Sequence, residues 1–150
     1  MITWPWVRQT PPFTIVTAIE VEEAIHRFLD AQWGGQLRDW RLMVVDTPLN
    51  DADYKLMSRT QLQGYLRSLP RHNYVIQYND CDDAAYRFIV RLTEKWGVNS
   101  VGKVKDKNTA HYYNIVVLDD LTSVLVEPQT ASIVLPDEVL YQCRVGLLEI

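Results

Sequence analysis

Between Cys81 and Gly97 the apolar residues recur at helical spacing. Cys81, Ala85, Phe88 and Leu92 fall at i, i+4, i+7 and i+11, with Ile89 and Trp96 beside them. That stripe predicts one amphipathic helix that buries a single face and ends at the glycine. A helix of this kind needs a surface to pack on. Downstream, "HYYNIVVL" and "SVLVE" read as β-strands separated by a turn at Asp119-Asp120, with "TASIVLP" as a further strand. The end, "EVLYQCRVGLLEI", reads as a final strand carrying Cys143.

Upstream, "EVEEAIHRFLDAQWGG" has an apolar stripe through Val21, Ala24, Ile25, Phe28 and Leu29, closed by Gly34-Gly35. His26 lies at the edge of that stripe and reads as a surface or boundary residue. "SRTQLQGYLRSLP" has a capping Ser58, a helical period through Leu62, Tyr65, Leu66 and Leu69, and a Pro70 stop. "TPPFTIVTA" reads as a loop and short strand, "RLMVV" and "YVIQY" as short strands, and "GVNSVGKVKDKN" as a polar, basic loop. The predicted class is α+β, with N-terminal helices packed on a C-terminal antiparallel sheet. The 150 residues suit one domain, 1–150.

Charge and composition exclude some functions. The formal net charge of −4 argues against a general nucleic-acid binder. There is no apolar run of about 18 residues, so no membrane span is expected. "MITWPWVRQTPP" lacks a basic region followed by an apolar stretch, so no secretory signal is expected. With Cys81 and Cys143 as the only cysteines, a reduced, cytoplasmic protein is the simpler expectation. Trp4, Trp6, Trp33 and Trp40 read as core residues, or as the lining of a substrate cleft or a homodimer contact.

"NDCDDAAYRF" puts Asp80 before Cys81, and Asp82 and Asp83 after it. Carboxylates favour the thiol over the thiolate. One reading makes Asp80 an N-cap, places Asp82 and Asp83 in the first turn where they suit the helix dipole, and buries Cys81. The other makes Cys81 a nucleophile at a helix start, with a histidine as base and a polar group to orient it. His111, at the front of a predicted strand, fits the base; His72 reads as a loop residue. Asn114, Glu127, Asp119 and Asp120 are candidate orienters. Strand parity separates them in part. An odd-numbered turn from Leu118 to Thr122 sets Tyr113 opposite Glu127 and His111 opposite Gln129, so Glu127 is diagonal to His111 on one face. An even turn sets Glu127 beside Asn114 instead.

"DCDDAA", "AHYYNIVVLDD" and "LVEPQT", in that order and at compatible spacings, resemble the papain-like cysteine peptidase domains of the Marasmius oreades agglutinin type, which have stand-alone bacterial and phage versions. The resemblance covers about residues 74–135 and leaves residues 1–70 as a helical part with an unrecognised start. It implies a papain-like fold and a catalytic triad of Cys81, His111 and Glu127. It implies activation by Ca²⁺ held at Asp82, Asp83 and Gln129, and Gln77 as the candidate oxyanion donor. The implied activity is a calcium-dependent cysteine peptidase acting on a peptide or protein. Transglutaminase-like acyl transfer or deamidation uses the same three groups. A non-catalytic, calcium-stabilised binding or structural protein, phage-borne in one version, is the third reading.

Overall fold

The computed structural model describes residues 13–33, 51–70, 72–73, 75, 80–106, 110–135 and 145–149. The strand readings at "RLMVV" and across most of "YVIQY", together with Trp4, Trp6, Trp40, Gln77 and Cys143, lie outside the described residues.

The first described element is β1 (Thr14–Thr17), a β-branched stretch that runs directly into α1 (Ala18–Trp33). The junction is fastened by Glu20, whose carboxylate accepts the Thr17 backbone N–H at 2.8 Å and its hydroxyl at 2.9 Å. These bonds hold the Glu20 carboxyl below its ordinary range. Val21, Ala24, Ile25 and Leu29 are buried along α1, as the stripe requires, with Phe28 packed against them. β1 pairs antiparallel with β2 (Asp53–Leu56), in the register Thr14↔Leu56 to Thr17↔Asp53.

α2 (Arg59–Ser68) opens on the capping box that Ser58 announces. The Ser58 Oγ accepts the Gln61 N–H at 3.1 Å, and the Gln61 Oε1 accepts the Ser58 N–H at 2.7 Å. Leu62, Tyr65 and Leu66 are buried along it. α3 (Cys81–Trp96) buries Ala84, Ala85, Phe88 and Leu92 and stops at Gly97, whose φ of 67° lies in the left-handed region that glycine enters without a Cβ clash.

The C-terminal half forms a five-stranded antiparallel sheet in the order β6-β5-β4-β3-β7. Its strands are β3 (Val101–Asp106), β4 (Tyr112–Val117), β5 (Ser123–Glu127), β6 (Ser132–Val134) and β7 (Val145–Glu149). Both faces are covered. Tyr113, Ile115, Val117 and Leu125 pack in one cluster with α1, β1 and β2. Val116, Val124 and Val126 pack in a second with α2 and α3. This explains why β4 and β5 read as near-continuous apolar runs rather than alternations.

The α+β class, with helices preceding an antiparallel sheet, is what the sequence predicts. Two details differ. The N-terminal part contains the β1–β2 pair as well as helices. "VGKVKD", read as loop, is an interior strand between β4 and β7. Its Val101 faces Val116 and the helical cluster, while Val104 faces Tyr113 and the α1 cluster. One valine per face leaves no alternation to see. Its lysines lie over aromatic rings, with Lys103 Nζ 4.7 Å from the Tyr86 centroid and Lys105 Nζ 5.3 Å from that of Tyr112.

Candidate functional site

The start of α3, the start of β4 and the end of β5 meet at one end of the sheet. β4 and β5 pair with Val117 opposite Ser123, so the turn from Leu118 to Thr122 is odd-numbered. Asp120 shapes it by accepting the Thr122 N–H at 3.0 Å and hydroxyl at 2.6 Å, which lowers its carboxyl. His111 and Glu127 therefore share a face, and His111 Nε2 lies 2.6 Å from Glu127 Oε2. The ring of His111 sits 5.9 Å from that of Tyr113, two residues on. Glu127 is buried, at 2% exposure, and its second oxygen accepts the Gln129 backbone N–H at 2.9 Å. The pair thus ties β4 to the turn after β5. Asn114, the other orienter on this strand, points elsewhere: its amide donates to Ala85 O and Gly102 O, both at 3.1 Å, joining β4 to α3 and β3.

Cys81 reaches this end through the backbone. The N–H of Tyr112, the residue after His111, hydrogen-bonds its sulfur. That bond favours the thiolate, but burial pushes the thiol above its ordinary value, and the charges of Asp80 and Asp82 push it further.

Asp80 occupies the N-cap position of α3 but makes no side-chain capping bond. This corrects the capping expectation. Its carboxyl turns instead to Asp82, and that hydrogen bond is the first cause of a raised Asp82 carboxyl, ahead of burial and the charge of Asp80. Asp80, Asp82 and Asp83 each offer an oxygen, and these lie within 4.8 Å of one another. Two oxygens on opposite sides of a bound Ca²⁺ lie about 5 Å apart, so the donor set and its spacing fit that ion. Asp80 is the member that sequence reading assigned to another role; its signal was the i, i+3 relation to Asp83 across a helix start. The side chain of Gln129 lines a surface groove with Leu66, Pro70 and Thr130.

No protein-family model matches the chain, and no characterised protein matches it by sequence. A solved structure does share the fold: a Polyporus squamosus lectin bound to the epitope Neu5Acα2-6Galβ1-4GlcNAc. The two superpose with a TM-score of 0.57 at 17% identity, over 91% of this chain and 49% of the lectin. The chain therefore spans about half the length of that lectin.

These findings correct the peptidase expectation. The protein found to share the fold is a lectin. The hydrolase assignment falls, and the comparison lends no support to a bacterial or phage stand-alone peptidase. Among the described residues no helix is long and apolar enough to cross a membrane.

Proposed function

We propose that this chain is a non-catalytic binding module, a papain-like scaffold put to carbohydrate binding and stabilised by a divalent cation, Ca²⁺ by donor chemistry. The observation that carries the reading is the fold shared with a lectin over nearly the whole chain. Fold alone does not fix function. Two features of the site agree with it: burial raises the Cys81 thiol, and Glu127 is tied to His111 and to the Gln129 backbone. In this reading Cys81 fills space at the helix start, and His111 with Glu127 pins the hairpin. Asp80, Asp82 and Asp83 would hold the cation, which would neutralise like charges at the head of α3.

The test is calorimetric titration of the wild-type chain and Cys81→Ala with the sialylated trisaccharide Neu5Acα2-6Galβ1-4GlcNAc, beside incubation of both with an unfolded protein substrate in millimolar Ca²⁺. The expected result is saturable glycan binding of equal affinity in both proteins and an intact substrate. No glycan binding, with substrate cleavage that Cys81→Ala abolishes, overturns the proposal.

A further inference from the structure

Beside α3 a cavity of about 200 Å³ lies between the helix, the segment after α2 and the turn after β5. Arg87 and Arg91, one helical turn apart, line it together. His72 and Asn73 line it from the segment after α2, and Phe88 and Pro128 supply apolar wall. None of the described lining residues is acidic. On a chain of net charge −4 this is a local concentration of cationic donors. A recess lined by one sign of charge draws the opposite sign into it.

The cavity is small for a whole drug-sized ligand, for which roughly 300–1,000 Å³ is usual. A wider groove of about 610 Å³ adjoins it, sharing Leu69, Pro70 and His72 and continuing to Arg67, Gln129 and Thr130. The pair of spaces has a division of chemistry. The first offers two planar guanidinium forks, the groups best shaped to grip a carboxylate with paired N–H bonds. The second offers an amide and a hydroxyl, which suit neutral sugar hydroxyls, with the single guanidinium of Arg67 among them. The apolar wall suits the C–H face of a sugar ring.

We infer that the Arg87–Arg91 cavity is an anion subsite that takes the carboxylate of an acidic sugar, with the following neutral sugars lying in the groove toward Thr130. This rests on the carbohydrate reading and adds to it the charge of the ligand and the residues that select it. His72, at the boundary between the two spaces, is placed to contact both parts of such a glycan.

The probes are free N-acetylneuraminic acid, the sialylated trisaccharide and its neutral disaccharide Galβ1-4GlcNAc, titrated into wild type, Arg87→Gln and Arg91→Gln. Both arginines are exposed, so both variants should melt with wild type. The trisaccharide should bind about tenfold or more tighter than the disaccharide, and each variant should remove about tenfold of that preference, the scale of a hydrogen bond to a charged group. Added salt should weaken the acidic ligand selectively. If both oligosaccharides bind alike, or the variants keep wild-type affinity, the subsite is wrong while the carbohydrate reading stands. If free N-acetylneuraminic acid binds through the arginines and neither oligosaccharide binds, the anion cavity stands and the wider reading falls. No binding of any probe overturns both.

Discussion

Millimolar Ca²⁺ is expected to raise the melting temperature of this protein by about 5–10 °C. A ligand that binds only the native state at a hundred times its dissociation constant adds roughly 2.7 kcal/mol, and each kcal/mol moves the midpoint by about 2–4 °C for a chain of this size. The carboxylates that would hold the ion are Asp80, Asp82 and Asp83. Asp82→Asn and Asp83→Asn should each lose most of the shift. The metal-free protein has a pH signature of its own. The Asp82 carboxyl is raised from 3.8 in the folded state, chiefly through its hydrogen bond to Asp80. The stabilisation from that shared proton is therefore fully present below the ordinary aspartate value and is lost as pH rises through the raised one. In EGTA at neutral pH, Asp82→Asn should thus melt at or slightly above wild type; the effect is small because Asp82 is exposed. Identical melting curves in calcium and EGTA would remove the metal from the account.

The second large effect is expected at Glu127. Its carboxylate is buried and accepts from both His111 and the Gln129 backbone. Glu127→Ala strips both bonds at once and leaves polar groups facing a gap. Leaving a buried polar group without its partner costs about 1–3 kcal/mol for each group. Glu127→Gln keeps an acceptor for one of the two donors and should cost about 1–2 kcal/mol. Urea denaturation with an unchanged m-value is the measurement. A Glu127→Ala protein within about 0.5 kcal/mol of wild type would show that the pair does not hold the hairpin.

Much of this geometry is written locally. The stripes of α1 and α3 and the Ser58–Gln61 box are helical signals that need no tertiary context, and each element lies where its signal puts it. The His111–Glu127 contact is also legible, because side-chain parity across an odd-numbered turn leaves one arrangement. Where context decides, the signal fades. β2 is a short stretch, "DYKL", and its partner β1 lies far back along the chain, so nothing local marks it. β3 hides because each face receives one valine. Asp80 hides because a helix cap and a cation ligand ask for the same residue at the same place. The largest gap is chemical. His111 and Glu127 share a face and Cys81 hydrogen-bonds the backbone beside His111, yet the ionisation of the sulfur depends on how deeply the helix start is buried, and no motif encodes that. The Arg87–Arg91 cavity is a meeting of three segments distant in sequence, and only the fold assembles it.

The reactivity of Cys81 toward iodoacetamide as a function of pH tests the central claim that this end of the sheet is a structural and binding site. Burial is the leading cause of the raised thiol, ahead of the aspartate charges, so neutralising those charges with Ca²⁺ should leave the thiol high. The account predicts a labelling rate that inflects above the ordinary thiol value of 9.0, with and without calcium. Rapid labelling at neutral pH, lost in His111→Ala, would mean an activated thiolate and would contradict it.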